Sequence, residues 1–329
     1  MITKLKEKIV NRYPVLYNVE ISTRCNLKCI MCEYRYWDTP GRDMSLKEFK
    51  TIYSRLPWQA RKLYPHLLRF QLSGIGEVFM NKEALDIIEF IKEKGAFITF
   101  AENFTAVCKG KASMLVDMGV DEIFISLDGA TKDVYEKIRC GARFDKVIEN
   151  IKRVVEIKKE KKASLPRLVI RFVPLKTNIH QLSDMVKLTK ELGIEEMEVP
   201  SLYLFEGNKD LSFDPVEFEK YSKEALKTAD ELGISLDIFG DKEDISECKR
   251  VENSTYITCE GEILPCCALN QRNIRDSIKK YSFGNVYKES ISSIWDSGRY
   301  KRFRASVLTG DMPRLCEGCY WYESKCNNS

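Results

Sequence analysis

From Val15 to about residue 240 the chain exchanges short apolar runs with amphipathic helical stretches, and few folds accept that pattern. Runs at 17–23, 69–73, 96–101, 122–127, 167–173 and 196–201 have the length and composition of strands. The stretches between them carry helix punctuation. Ser45-Leu46-Lys47-Glu48 is a capping box. Lys82 to Lys94 sets Ala84, Leu85, Ile87, Ile88 and Ile91 on one helical face and stops at Gly95. Gly119 and Gly193 end two further helices, and Asp214-Pro215-Val216-Glu217 opens another that Gly233 closes. Strands alternating with helices imply a parallel sheet joined by right-handed crossovers. Six such units are fewer than the eight of a closed barrel, and periodicity leaves a partial barrel and an open doubly wound sheet both available.

The polar motifs fall where such folds keep their function, at the carboxyl ends of strands. Gly74-Ile75-Gly76-Glu77 follows the second run, and Ser126, Asp128 and Gly129 end the fourth. After the first run comes Cys25-Asn26-Leu27-Lys28-Cys29-Ile30-Met31-Cys32, three thiols within eight residues. Iron–sulfur cluster irons are ordinarily closed by four cysteines; three would leave one iron open for a ligand. A zinc knuckle or a chance grouping is the competing reading. This Cys-x3-Cys-x2-Cys segment directly after a strand resembles the signature of the radical S-adenosylmethionine (SAM) enzymes. The resemblance implies a partial (β/α)6 barrel of the TIM type. It also implies a SAM-binding 4Fe–4S cluster on Cys25, Cys29 and Cys32, whose open iron is chelated by the cofactor. An electron from that cluster cleaves SAM to a 5′-deoxyadenosyl radical, which abstracts hydrogen from the substrate. The cofactors carry the hard chemistry, and the protein orients them.

Further motifs extend the resemblance. Gly74-Ile75-Gly76-Glu77 is similar to the family's Gly-Gly-Glu motif, which holds the amino group of SAM; glycine lets the backbone come close to a ligand. Ile125-Ser126-Leu127-Asp128-Gly129 with Tyr135-Glu136-Lys137-Ile138-Arg139 resembles the segment whose serine and arginine contact the SAM carboxylate and whose aspartate lies near the ribose. A guanidinium fork suits a carboxylate. A turn at Gly74–Glu77, a strand-end turn at Ser126 and Asp128, and a surface ion pair at Arg139 are the structural alternatives. Two departures stand out: Met31 replaces an aromatic residue common near the adenine, and Glu102-Asn103-Phe104 replaces a frequent Thr-Asn-Gly. Arg171, Glu102 and Tyr203 lie in or after late strands as cavity candidates, although a strand arginine also pairs readily on an outer face.

Past residue 241 the alternation stops and cysteines appear at 248, 259, 266, 267, 316, 319 and 326. Cys248, Gly261 and Cys266, then Phe283-Gly284-Asn285-Val286, Ile294-Trp295, Arg302-Phe303-Arg304 and Cys316-x2-Cys319, resemble the SPASM and twitch extensions of the family. The resemblance implies a small α+β domain with one auxiliary 4Fe–4S cluster on Cys248, Cys266, Cys316 and Cys319. Cys259, Cys267 and Cys326 are alternates or spectators. Two fully cysteine-ligated auxiliary clusters need eight thiolates, one more than the seven here. A zinc ribbon is the alternative, since Cys-x2-Cys pairs also bind zinc. The resulting organisation is an extension over 1–14, a core over 15–240 and an auxiliary domain over 241–329.

Composition narrows the remaining classes. With 53 basic against 49 acidic residues the net charge of +4 gives no concentrated basic face for nucleic acid. No apolar run is long enough to span a bilayer and no signal-peptide core appears, so the chain reads as cytoplasmic. Lys4, Lys6 and Lys8 around Leu5 and Ile9 suit a solvated helix closing the domain better than a membrane helix. Twelve cysteines in a large chain without an export signal are metal ligands rather than a disulfide framework, with Cys108 and Cys140 as small core residues. Histidine is confined to His66 and His180, and no residue declares itself a catalytic base. The family resemblance implies a small-molecule or peptide substrate and an electron donor such as flavodoxin or ferredoxin. About sixteen residues precede the first strand, so the leader-binding domain that many peptide-modifying relatives carry there is not expected, and a peptide maturase would work without a leader or with a separate recognition protein. A non-catalytic iron–sulfur carrier or a zinc-binding module would need none of Gly74, Glu77, Ser126 and Arg139.

Overall fold

Each apolar run forms a strand, and all but the third are shorter than the sequence pattern predicts. The computed structural model describes residues 12–37, 40–238, 250–267, 278–311 and 313–316. Among the described residues the strands are β1 (Leu16–Val19), β2 (Arg69–Leu72), β3 (Phe97–Glu102), β4 (Glu122–Ser126), β5 (Arg167–Arg171), β6 (Glu196–Val199), β7 (Ser235–Ile238), β8 (Ser254–Ile257) and β9 (Ile263–Leu264). The helices in chain order are α1 (Leu46–Ser54), α2 (Trp58–Leu63), α3 (Ala84–Glu93), α4 (Lys109–Asp117), α5 (Lys132–Ile138), α6 (Phe144–Glu160), α7 (Leu182–Glu191) and α8 (Pro215–Leu232). After them come α9 (Arg250–Asn253), α10 (Ile278–Tyr281), α11 (Ile291–Asp296) and α12 (Gly298–Leu308). Among the described residues no helix is long and apolar enough to cross a membrane. The N-terminal lysines lie outside the described residues.

Local chemistry sets the helix ends. At α1 the Ser45 hydroxyl accepts from the Glu48 amide while the Glu48 carboxylate accepts from the Ser45 amide, which completes the capping box. Asp214 caps α8 by accepting from Val216, and Gly233 ends it at φ +66°, a conformation that costs a residue with a Cβ. On α3 the residues Ile87, Ile88 and Ile91 are fully buried; each such side chain contributes about 1.5–3 kcal/mol through removal from water.

The chain divides into two units, and the division falls inside β3. The first comprises Met1–Arg24, Pro40–Ile98 and Glu243–Ser329. In it β1 lies between β2 and β8, parallel to both, and β9 runs antiparallel to β8. The register pairs Tyr17 with both Phe70 and Thr255. The second unit comprises Cys25–Thr39 and Thr99–Lys242. There the end of β3 and strands β4, β5, β6 and β7 follow in order, all parallel. Strand β7 adds a unit beyond the six that the apolar runs indicate. Strand β8 shows that strand pairing resumes past residue 241; its four residues are too few to declare themselves by periodicity.

The two faces of the second unit's sheet differ. Ile123, Ile125, Leu168, Ile170, Met197 and Val199 are buried on one face. On the opposite face the pairing aligns Ser126, Arg171, Glu198 and Asp237 across the carboxyl ends of β4 to β7. A Leu-rich side core of Ile138, Leu175, Leu202 and Leu211 takes Ile30, Met31, Val134 and Val173 against it.

Candidate functional site

In the second unit the cysteine loop is held by its backbone. The Lys28 amide donates to the Cys140 carbonyl and the Ile30 amide to the Ile138 carbonyl, both at 3.0 Å. These bonds run the loop alongside the end of α5. Leu27, Ile30 and Met31 are the apolar residues between the thiols; Leu27 is buried, and Ile30 and Met31 seat on the side core. Three asparagines complete the support. Asn103 Nδ2 donates to Asn26 Oδ1 (3.0 Å), and Asn208 Nδ2 donates to the carbonyls of Met31 (3.2 Å) and Tyr203 (2.9 Å). Asn178 Nδ2 donates to the carbonyls of Asp128 and Val173, both at 3.0 Å. Asn178 and Asn208 carry no signal of this role in the sequence. Single asparagines in loops signal turns, and only the tertiary contacts show what they hold.

Cys29 is buried and Cys25 and Cys32 are half-buried. Arg139 Nη1 lies 4.0 Å from Cys29 Sγ. The Arg139 Nε–H donates to Asp128 Oδ2, and Asp128 Oδ1 accepts from the Val173 amide at 2.8 Å. Burial works against the guanidinium's charge, but Asp128 foremost, with Cys29 and Tyr135, outweighs it and holds Arg139 protonated well above its ordinary range. Asp128 is 0 % exposed. Both of its oxygens are thus engaged within the protein. Ser126 is buried at the end of β4, in register with Arg171. Arg171 pairs with Glu198 on the neighbouring strand and stacks 4.1 Å over the Phe124 ring. Glu102 is buried at the end of β3. Phe104 adopts φ +59°, the left-handed conformation for which a glycine is the natural choice, and its full burial offsets the strain.

In the first unit the Gly74–Glu77 turn follows β2. A Cβ on Gly76 would fall 2.3 Å from the Ser22 carbonyl oxygen and 2.7 Å from Arg24 backbone atoms. The Glu77 amide donates to the Arg24 carbonyl at 2.7 Å. Glycine is therefore required for the approach of two backbones, and Arg24 is the residue that precedes Cys25. Arg24 in turn pairs with Asp43 and donates to the Met80 carbonyl.

Of the C-terminal cysteines, Cys266 and Cys267 pack on a small core of Tyr256, Leu264 and Ile278, which also receives Leu315, the neighbour of Cys316. Cys259 is buried, and its thiol donates to the Glu20 carbonyl at 3.0 Å, the part of a spectator. Cys248, Cys319 and Cys326 lie outside the described residues. Cys108 and Cys140 correct the expectation of core residues. Cys108 is exposed before α4, and Cys140 is half-buried beside the cysteine loop, its thiol donating to the Lys137 carbonyl. Both sit at helix ends rather than on a helix face, where a small apolar side chain would be buried. Among the described residues no three His, Cys, Asp or Glu side chains are grouped closely enough to hold one metal ion. Three thiols on one backbone-clamped loop, with a cation beside the buried one, are a donor set suited to a cluster that carries negative charge.

Comparisons with known proteins agree with the geometry. The family model for the radical SAM superfamily matches residues 19–189, and that for the SPASM iron–sulfur cluster-binding domain matches residues 248–320. The chain is 28% identical over 298 residues to a tungsten-containing aldehyde ferredoxin oxidoreductase cofactor-modifying protein of Pyrococcus furiosus, covering 87% of this chain and 82% of that one. It is 22% identical over 324 residues to a PqqA peptide cyclase of Bradyrhizobium diazoefficiens, covering 94% and 80%. Its fold is similar to that of Streptococcus suis SuiB bound to S-adenosylmethionine, with a TM-score of 0.71 at 16% identity, over 92% of this chain and 71% of that one.

Proposed function

The chain belongs to the radical SAM superfamily, and from that premise we propose that it is an enzyme which uses SAM to abstract a hydrogen atom from a peptide substrate. A partial-barrel α/β fold with a C-terminal SPASM domain, a 4Fe–4S cluster with SAM, and iron–sulfur in the C-terminal domain come with the family. When bound, these groups supply an electron and a 5′-deoxyadenosyl radical. The residues of this chain hold, orient and shield them.

The carrying observation is the cysteine loop: three thiols on a loop fixed through the Lys28 and Ile30 amides, with Arg139 4.0 Å from Cys29. In this reading Cys25, Cys29 and Cys32 ligate the cluster and leave one position for SAM. Gly74, Gly76 and Glu77 receive the amino group, and Ser126 and Arg139 receive the carboxylate. Asp128 fixes the guanidinium. The core spans 15–240 and the auxiliary domain 241–329, with Cys248, Cys266, Cys316 and Cys319 on one auxiliary cluster. A peptide substrate is supported by the likeness to the PqqA peptide cyclase. A small-molecule substrate is the second reading, supported by the likeness to the cofactor-modifying protein. Flavodoxin or ferredoxin would supply the electron.

Anaerobic reconstitution followed by reduction with SAM tests the reading. The wild type should release 5′-deoxyadenosine, and Cys25→Ala, Cys29→Ala or Cys32→Ala should each abolish that release. A carrier or a zinc module would release none. Deuterium passing from a labelled peptide into 5′-deoxyadenosine identifies the substrate class, whereas transfer only from small molecules selects the second reading.

A further inference from the structure

Glu20 follows β1 and is 0 % exposed. Its two carboxylate oxygens reach segments far apart in the chain. Oε1 accepts from the Ile75 amide at 3.3 Å, and Oε2 accepts from the Cys259 amide at 3.2 Å. Its backbone joins the same C-terminal segment: the Glu20 amide donates to the Ile257 carbonyl at 2.9 Å, and its carbonyl accepts from the Cys259 thiol at 3.0 Å. The contact with the glycine turn is tight. A Cβ on Gly74 would lie 2.4 Å from Glu20 Cγ and 2.8 Å from Oε1. An ionised carboxylate accepts hydrogen bonds and donates none, which suits a bridge between two main-chain amides.

From these contacts we infer that Glu20 is a positioning residue for SAM, and that it couples the cofactor turn to the C-terminal iron–sulfur domain. The inference rests on the reading of Gly74–Glu77 as the cofactor turn. One side chain sets the height of that turn through Ile75 and Gly74 while it holds the start of the 259–264 segment through Cys259. Ligand at the turn therefore tightens the bond to Ile75 and, through the same carboxylate, protects the Cys259 amide. An ordinary core residue would stabilise both segments without linking them.

The test uses the full-length reconstituted protein and SAM itself. In the wild type, SAM should slow amide hydrogen exchange at Cys259. Glu20→Gln places an NH2 group against one of the two amides. It should weaken SAM binding about tenfold and abolish the protection at Cys259, with iron content kept near wild type. Gly74→Ala should weaken SAM binding at least tenfold. Because Glu20→Ala removes the two closest contacts of the added methyl, Gly74→Ala should cost at least threefold less in that background. A Glu20→Gln protein that loses thermal stability yet binds SAM like the wild type overturns the inference, as do additive effects of the two alanine substitutions. Wild-type protein that binds no SAM at all defeats the cofactor reading and this inference with it; wild-type binding with unaltered variants defeats the inference alone.

Discussion

At the scale of single residues, Asp128 governs the site more strongly than its distance from the thiols suggests. It is fully enclosed and holds Arg139 by one oxygen and the Val173 amide by the other. Removing one partner of a buried ion pair leaves an uncompensated charge, at a cost of about 3–5 kcal/mol. Asp128→Asn should therefore lower the free energy of unfolding by an amount of this order in a urea titration. Arg139→Lys should keep the fold but weaken SAM binding, because the ammonium lacks the planar fork. A fully stable Asp128→Asn protein would show that Arg139 finds another counter-charge. The motif residues were legible because their types declare their chemistry: three thiols at fixed spacing, a glycine pair before a glutamate, an arginine after a strand end. Arg171 was half legible. It does pair, with Glu198, but on the face that carries Ser126 rather than on an outer one. Glu20 was not legible, since a lone acid in an apolar run looks like a solvent-facing position. Only the fold brings Ile75 and Cys259 to its two oxygens.

At the scale of elements, the helix ends were plain in the sequence because capping is local. Ser45 and Glu48 sit three apart, and no distant residue is needed to make their box. The same box carries a pH dependence. Partial burial opposes the Glu48 charge, but hydrogen bonds from the Ser45 amide and hydroxyl and the Arg42 guanidinium outweigh it, so its pKa falls below the ordinary value. A carboxyl depressed on folding contributes stability above its unfolded pKa of about 4.3, and loses it as pH falls through the lower folded value. Glu48→Gln should thus cost about 0.5–1 kcal/mol at pH 7. The difference from wild type should shrink as pH drops below about 4, measured as urea midpoints across that range. A constant difference would mean that the loss lies in packing rather than charge. Strand β8 shows the opposite case. Its four residues pair with β1 across more than two hundred intervening positions. No window of sequence contains both partners, so the strand–helix alternation seemed to end before it. Strand β7 was missed for a related reason. Its face alternates between exposed and half-buried positions, without the apolar density that marked β4 and β5.

At the scale of the whole molecule, the chain carries two separate thiol sets with different partners. The first is anchored by α5 and the asparagines around it. The second gathers Cys266 and the neighbour of Cys316 on the Tyr256, Leu264 and Ile278 core. If these sets bind separate clusters, iron should be lost in halves. The wild type should hold about eight irons per chain, and Cys266→Ala or Cys316→Ala about four. The four that remain should belong to the Cys25, Cys29 and Cys32 site, whose loop is held by the Cys140 and Ile138 carbonyls and by Asn103 and Asn208. The variants should therefore still respond to SAM in the electron paramagnetic resonance spectrum and still release 5′-deoxyadenosine under chemical reduction. Product formation from the substrate should fail, since the second cluster is the group left to receive an electron or hold the substrate. Loss of all iron from either variant would mean that the two sites fold as one. Unchanged iron would remove Cys266 and Cys316 from the ligand set and return Cys267 to it, because Cys267 packs on the same core.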